Sequence, residues 1–104
     1  MLTLVVESGG RRETFSFPGD GVSVGRAEDN DLRIGSRFVS QHHCRIETME
    51  DQGVKLIDLD SQNGTRVNHE DTSQTRLREG DRIDIGSVAI YYERAPHENT
   101  ASLD

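Results

Sequence analysis

Short runs of alternating apolar and polar residues, each ended by a cluster of turn-forming residues, fill most of this 104-residue chain. In Cys44–Thr48 and Arg82–Ile85 the apolar and polar side chains take turns, which is the period of a strand with one buried and one solvated face. Clusters of Gly, Asn, Asp and Ser interrupt such runs roughly every 8 to 12 residues, a spacing typical of sandwiches and barrels. The pattern therefore predicts an all-β domain, and we find no convincing helix.

The predicted strands are short apolar or alternating segments bounded by turn signals. They cover residues 2–7, 14–17, 22–25, 32–34, 43–48, 54–59, 65–67, 82–85 and 88–93. The sequence Ser8-Gly9-Gly10 predicts a hairpin, and Gly86-Ser87 predicts another near the end of the chain. About ten short strands in one small domain favour a β-sandwich.

Composition and charge restrict the classes of function. The 12 Lys+Arg and 19 Asp+Glu residues give a net charge of −7. This balance disfavours nucleic acids and anionic membranes as partners, because both need a basic surface. The single cysteine, Cys44, forms no intrachain disulfide, so we expect a reducing compartment. Residues 1–7 do not resemble a secretory signal, and no apolar run approaches the ~20 residues of a membrane span, so we expect a cytoplasmic location.

The last residues differ in character from the rest of the chain. From Ala95 onward the sequence is polar and has no periodicity. We therefore expect a domain over residues 1–94 and a flexible polar tail, or the start of a linker, over residues 95–104. A linker-like ending favours a larger chain that continues C-terminal to the domain.

Two segments with few strand signals, residues 25–43 and 60–68, hold the candidate binding residues. Arginine accounts for all of the basic residues except Lys55, and its planar guanidinium binds phosphate oxygens through paired donors. Neutral donors in these segments are Ser40, Gln41, Gln62 and Asn63. By composition alone, an equally good interpretation is that arginines offset neighbouring carboxylates on a solvated face. The residues concerned are Arg26, Arg33 and Arg37 against Glu28, Asp29 and Asp31.

Four motifs in fixed order carry more information than composition. They are Gly25-Arg26, Ser40-Gln41-His42-His43, Ser61-Gln62-Asn63-Gly64-Thr65 and Val67-Asn68. Their order and separation resemble the forkhead-associated (FHA) domain family over residues 2–93, and residues 77–86 are similar to the family's strand-turn-strand ending. The resemblance implies a sandwich of about eleven short strands in two sheets. It also implies a module that binds phosphothreonine proteins in Ser/Thr kinase signalling, without catalysis, cofactor or metal.

The resemblance implies a role for each matching residue. Arg26 is expected to contact the phosphate, Ser40 to donate its hydroxyl to it, and Asn63 to bind the peptide backbone. Gln41 and Gln62 stand where relatives often have other polar residues that reach the phosphate, so their contribution is an open question. Auxiliary contacts are expected from Arg37 and Arg66.

Further matching residues are expected to support the binding loops without touching the ligand. His43 is expected to link the loops through hydrogen bonds, and Gly64 to give backbone freedom. Gly25 belongs to the first motif, and Asn68 closes a turn in which His69 stands where relatives often have glycine. Other interpretations are less favoured: a Cys-His nucleophile at Cys44, and a histidine metal site, lack an orienting group and ligand spacing.

Two functional alternatives stay open at this stage. In the first, the same sandwich is a phosphate-independent interaction or oligomerisation domain, and Gln41 and Gln62 mark a weakened pocket. In the second, phosphorylated Thr100, with Leu103 three residues later, occupies the pocket of its own or a neighbouring chain.

Overall fold

Eleven strands in two sheets make up the computed structural model, which describes residues 1–93. The strands are β1 (Leu2–Ser8), β2 (Arg11–Phe17), β3 (Gly21–Gly25), β4 (Leu32–Arg33), β5 (Cys44–Thr48), β6 (Val54–Asp58), β7 (Arg66–Val67), β8 (Glu70–Asp71), β9 (Gln74–Leu77), β10 (Arg82–Ile85) and β11 (Val88–Glu93). The predicted all-β sandwich is confirmed. The expected tail and Thr100 lie outside the described residues.

The two sheets have different sizes. The six-stranded sheet has the order β2-β1-β11-β10-β7-β8, and the five-stranded sheet has the order β4-β3-β5-β6-β9. Strands β3 and β4 pair in parallel, whereas the other paired strands run antiparallel. Among residues 1–93 no helix is long and apolar enough to cross a membrane.

The core lies between the sheets and follows the alternation in the sequence. In β10, Ile83 and Ile85 are buried while Arg82 and Asp84 are half-exposed. The side chains with no exposed surface come from both sheets and include Leu4, Val22, Ile46, Leu56 and Ile90. Each fully buried aliphatic side chain contributes roughly 1.5–3 kcal/mol to folding.

The structure adds strands that the sequence pattern does not predict. Strand β8 contains only Glu70 and Asp71, which are exposed, so it carries no apolar signal. Strand β9 lies at the edge of its sheet, and Leu77 is its buried residue. The second strand starts at Arg11, three residues earlier than predicted, because polar residues continue the pairing with β1.

Two predicted hairpins are confirmed, and a third turn carries strain. Gly9 and Gly10 have φ of 57° and 79° between β1 and β2, and the turn between β10 and β11 starts at Gly86. The β7–β8 turn contains Asn68 and His69, with φ of 52° and 73°. This left-handed conformation is costly for a residue with a side chain.

Candidate functional site

Three loops meet at one end of the sandwich. They are the β3–β4 loop (residues 26–31), the β4–β5 loop (residues 34–43) and the β6–β7 loop (residues 59–65). The β10–β11 turn closes the same end, because a Cβ placed on Gly86 would lie 3.1 Å from the Cβ of Phe38. Most of the expected site residues lie in these loops or directly beside them.

Arg26 is fixed along one edge of its guanidinium. Its backbone N–H donates to the carbonyl of Ser40 at 2.9 Å, and its Nε donates to the carbonyl of Val39 at 3.1 Å. No hydrogen bond or ion pair within residues 1–93 uses Nη1 or Nη2. A guanidinium held through Nε presents its two terminal nitrogens as a ready pair of donors for an oxyanion.

The Ser40 hydroxyl accepts one hydrogen bond and keeps its own proton for another partner. The backbone N–H of Gln62 donates to Ser40 Oγ at 3.0 Å, and the N–H of Ser40 donates to His43 Nδ1 at 3.1 Å. Because a hydroxyl is both donor and acceptor, the O–H of Ser40 is still available to donate. The backbone bond from Arg26 to Ser40 makes the two residues neighbours across the loops.

His43 links two of the loops through its buried ring. Its Nδ1 accepts from Ser40, so Nε2 carries the proton and donates to the carbonyl of Gly64 at 2.9 Å. Both bonds are to backbone atoms, and they fix the neutral tautomer in one orientation. The ring therefore sets the separation between the β4–β5 loop and the β6–β7 loop.

Asp58 organises the β6–β7 loop from the end of β6. One carboxylate oxygen accepts the hydroxyls of Ser61 and Thr65, and the other accepts the Ser61 backbone N–H at 3.0 Å. Partial burial raises the pKa of Asp58, but the hydrogen bonds from Ser61 and Thr65 outweigh it and hold the pKa below its ordinary value of 3.8. Asp58 is thus a structural residue of this loop, a role that the sequence motifs do not predict. A signal was present, since Asp followed three residues later by Ser is a pattern for a local side-chain turn.

The two glutamines differ from Asn63 in what they contact. Asn63 Nδ2 donates to the carbonyl of Phe38 at 2.8 Å, which ties the β6–β7 loop to the β4–β5 loop. The side chains of Gln41 and Gln62 are exposed and make no hydrogen bond within the described part of the chain. Their backbones are structural, because the Gln62 N–H holds the Ser40 hydroxyl and the Gln41 carbonyl accepts from Ala27 N at 3.1 Å.

Gly25 and Asn30 pack directly against this part of the site. A Cβ on Gly25 would lie 2.3 Å from the Gln41 carbonyl oxygen and 2.8 Å from Asn30 Nδ2. The buried Asn30 amide donates to the carbonyls of Gln41 and Ala27, both at 2.8 Å. Sequence reasoning did not single out Asn30, because its partners are backbone atoms of two separate loops.

The auxiliary residues divide between the site and the neighbouring hairpin. Arg37 lies over the ring of Phe38, 5.2 Å from its centroid, in the β4–β5 loop. Arg66 pairs with Asp71 at 3.3 Å across the β7–β8 hairpin. Asn68 supports the same hairpin: its Nδ2 donates to Asp81 Oδ1, and its Oδ1 accepts from the backbone N–H of Arg82, each at 3.0 Å.

The carboxylates beside the arginines are engaged elsewhere. Asp29 lies 3.0 Å from His42 Nε2, and Asp31 accepts from the Ser23 backbone at 2.9 Å. Within residues 1–93 no carboxylate lies within 4.0 Å of a guanidinium nitrogen of Arg26, Arg33 or Arg37. In the described residues, therefore, none of these three arginines forms a direct ion pair with an acidic neighbour.

Cys44 faces the core. Burial, with the nearby Asp58 carboxylate as a smaller cause, raises the pKa of its thiol to about 12. The thiol is therefore protonated at neutral pH, which is the unreactive form. No group of three or more His, Cys, Asp or Glu residues within the described range could hold a metal ion.

The FHA domain family model matches residues 22–86, which include all three loops. The chain belongs to the FHA domain family. FhaA from Mycobacterium tuberculosis is 33% identical to this FHA domain over 89 residues, 86% of this chain and 16% of FhaA. The chain spans well under two thirds of the first curated relatives that it matches, from 3% of one to 54% of another.

Solved FHA structures are similar to this FHA domain over nearly all of the described residues. The FhaA FHA domain, crystallised with the intracellular domain of another protein, is 31% identical with a TM-score of 0.78, over 89% of this chain and 100% of that one. A second structure comes from a structural and functional analysis of phosphothreonine-dependent FHA domain interactions. It is 28% identical with a TM-score of 0.73, over 90% of this chain and 98% of that one.

Proposed function

We propose that this FHA domain binds phosphothreonine-containing proteins and that Arg26 and Ser40 hold the phosphate. One observation carries the proposal: Arg26 and Ser40 are joined by a backbone hydrogen bond, and each keeps side-chain donors that no described residue uses, the Nη pair of Arg26 and the O–H of Ser40. The phosphothreonine-dependent interactions of a structural relative support it. The role is docking in kinase signalling, with no catalytic step.

The charges favour a phosphate at this position. A phosphothreonine carries close to two negative charges at neutral pH, and each charge-assisted hydrogen bond to it contributes roughly 1.5–3 kcal/mol. The domain as a whole repels such a ligand, since its net charge is −7. Binding therefore depends on the local arginines, and we expect a dissociation constant of about 1 μM that rises with added salt.

Asn63 and the glutamines complete the proposed site. Asn63 Nδ2 is occupied by the Phe38 carbonyl, whereas Oδ1 has no partner within residues 1–93 and can accept a peptide N–H. Gln41 and Gln62 have exposed amides beside Ser40 that supply further neutral donors. His43, Gly25 and Gly64 act through the loop backbone. The 1–94 domain boundary, a larger C-terminal chain and a cytoplasmic location stay predictions.

The test is a fluorescence anisotropy titration of a degenerate phosphothreonine peptide library, with phosphoserine and unphosphorylated libraries beside it. The variants are Arg26→Ala, Ser40→Ala and, as a matched control, Arg78→Ala. The Arg78 guanidinium also has no carboxylate within 4.0 Å in the described chain, but Arg78 lies in the β9–β10 turn at the opposite end of the sandwich. We expect the first two variants to lose at least tenfold in affinity, about 1.4 kcal/mol, and the control to bind like wild type.

Two outcomes would contradict the proposal. Equal binding of all three libraries would favour the phosphate-independent interaction domain. Binding of phosphothreonine peptides that is unchanged in Arg26→Ala would mean that the phosphate contacts other residues.

A further inference from the structure

The arginines of residues 1–93 form two groups. One group has a carboxylate within 4.0 Å: Arg12, Arg45, Arg66, Arg76 and Arg82. The other group has no carboxylate within 4.0 Å of its guanidinium nitrogens: Arg11, Arg26, Arg33, Arg37 and Arg78. Three members of the second group, Arg26, Arg33 and Arg37, lie at the proposed phosphate site, although the chain has more acidic than basic residues. One phosphate accounts for Arg26 and leaves Arg33 and Arg37 without an anionic partner.

Arg33 is attached to the residue that holds the phosphate. It lies on β4, in parallel register with Gly25, and its Nε donates to the Arg26 carbonyl at 2.9 Å. As in Arg26, the Nε bond fixes the guanidinium and leaves Nη1 and Nη2 without a partner within the described residues. The side chain is exposed, so these donors are open to a ligand.

Arg37 is fixed on the other side of the site. Its guanidinium lies over the ring of Phe38, an exposed aromatic residue, and the Phe38 carbonyl accepts from Asn63. Stacking on an aromatic ring orients a guanidinium while its N–H groups stay free at the edge. The two extra arginines are thus held on the Arg26 side and on the Asn63 side of the same loops.

Few acidic groups of the chain compete for these two guanidiniums. Asp29 lies within hydrogen-bond distance of His42 Nε2, and Asp31 accepts hydrogen bonds from Ser23. The exposed Glu28 and Asp60 have no ion pair in the described range, but neither lies within 4.0 Å of an arginine nitrogen. The pair of free, oriented guanidiniums is therefore available for negative charges on a ligand.

We infer that the preferred partner sequence carries acidic side chains close to its phosphothreonine, and that Arg33 and Arg37 bind them. This inference rests on the proposed function, because the phosphothreonine positions the flanking residues. Arg33 and Arg37 are then specificity-determining residues, whereas Arg66, already paired with Asp71, is not. Each added ion pair is exposed, so its contribution is modest, about a two- to fivefold change in affinity.

The test uses phosphothreonine peptides that differ at one flanking position at a time. Glu is placed at each of the three positions before and after the phosphothreonine, and each peptide is compared with its Gln counterpart. Affinities are measured for wild type, Arg33→Gln, Arg37→Gln, the double variant and the control Arg78→Gln. Gln keeps the length and polarity of the peptide side chain, so a double-mutant cycle isolates the charge pair.

We expect Glu to bind more tightly than Gln at one or more positions, by about two- to fivefold for each arginine involved. The double variant should lose this preference, Arg78→Gln should keep it, and added salt should weaken it. Equal affinity of wild type for Glu and Gln peptides, or a preference that survives in the double variant, would overturn this inference and leave the proposed function standing. Failure of the wild-type domain to bind any phosphothreonine peptide would overturn the proposed function and this inference with it.

Discussion

Alanine at position 25 is expected to destabilise the domain and weaken ligand binding, although Gly25 itself contacts no ligand. The added Cβ would lie 2.3 Å from the Gln41 carbonyl oxygen, where contacts shorter than 3.0 Å are essentially never found. The carbonyl therefore has to move by at least about 0.7 Å, against close packing that resists such shifts.

The cost of this movement can be worked out from the contacts of the carbonyl. It accepts from Ala27 N and from the buried Asn30 amide, so moving it weakens two hydrogen bonds as well as the packing. Overpacking alone costs about 1–3 kcal/mol, and each weakened bond adds a fraction of the roughly 1 kcal/mol that it contributes. We expect a loss of about 2–4 kcal/mol. Because Ser40 is the residue before Gln41, the same shift should weaken phosphopeptide binding roughly tenfold, about 1.4 kcal/mol.

Urea unfolding and phosphopeptide titration measure the two effects, and Gly35→Ala is the matched control. Gly35 lies in the β4–β5 loop, has no positive φ, and has no atom within 4 Å of an added Cβ. Gly35→Ala should therefore be neutral, or stabilising by up to about 1 kcal/mol. Equal stability of the two variants would refute the steric argument. Normal peptide binding by a destabilised Gly25→Ala protein would refute the link from the carbonyl to Ser40.

Further predictions concern the other residues that shape the loops. His43→Leu removes the hydrogen-bond partners of the Ser40 N–H and the Gly64 carbonyl, so the free energy of unfolding in urea should fall by about 2–4 kcal/mol. A decrease below about 0.5 kcal/mol would contradict the role of His43 in linking the two loops. Asp58→Asn should cost about 1–3 kcal/mol at pH 7. The pKa of Asp58 is lower in the folded protein than its ordinary value of 3.8. The stabilisation by the Asp58 carboxylate is therefore complete above pH 3.8 and is lost as the pH falls through the folded-state pKa. Urea unfolding should show a smaller difference in stability between Asp58→Asn and wild type at pH 3 than at pH 7. A stability difference between Asp58→Asn and wild type that stays constant with pH would show that the ionised carboxylate of Asp58 is not what stabilises the loop. His69 has a φ of 73°, a left-handed conformation that glycine adopts at less cost than a residue with a side chain. His69→Gly should therefore stabilise the domain by about 0.5–1 kcal/mol and raise the midpoint of urea unfolding. A lower midpoint would show that the His69 side chain itself stabilises the turn.

The sequence predicts best the parts of the fold in which burial alternates along a strand. Strands β5 and β10 were recognised because Ile46, Ile83 and Ile85 occupy every second position and carry the burial. The sequence pattern does not predict β8, because backbone pairing alone holds its two exposed residues. Pairing of this kind leaves no periodic pattern of apolar residues.

The candidate site could be predicted where residue type determines the chemistry. Motif position predicts Arg26 and Ser40, and in the structure a backbone hydrogen bond joins these two residues. Asn30 and Asp58 were not expected, since each acts on backbone or hydroxyl groups that only the folded loops bring within reach. The sequence also does not predict which arginines form ion pairs, because strand register determines which carboxylates lie beside them.

The pairing of the first and last described strands determines where a neighbouring domain can be attached. Thr3 lies opposite Glu93, so residues at both ends of the described chain are side by side. Strand β11 runs from the β10–β11 turn, beside Phe38, to Glu93, which puts the two ends about 17 Å from the binding loops. A fusion partner, an immobilisation tag or a fluorescent reporter joined before Leu2 or after Glu93 would therefore leave the peptide-binding end open to its ligand.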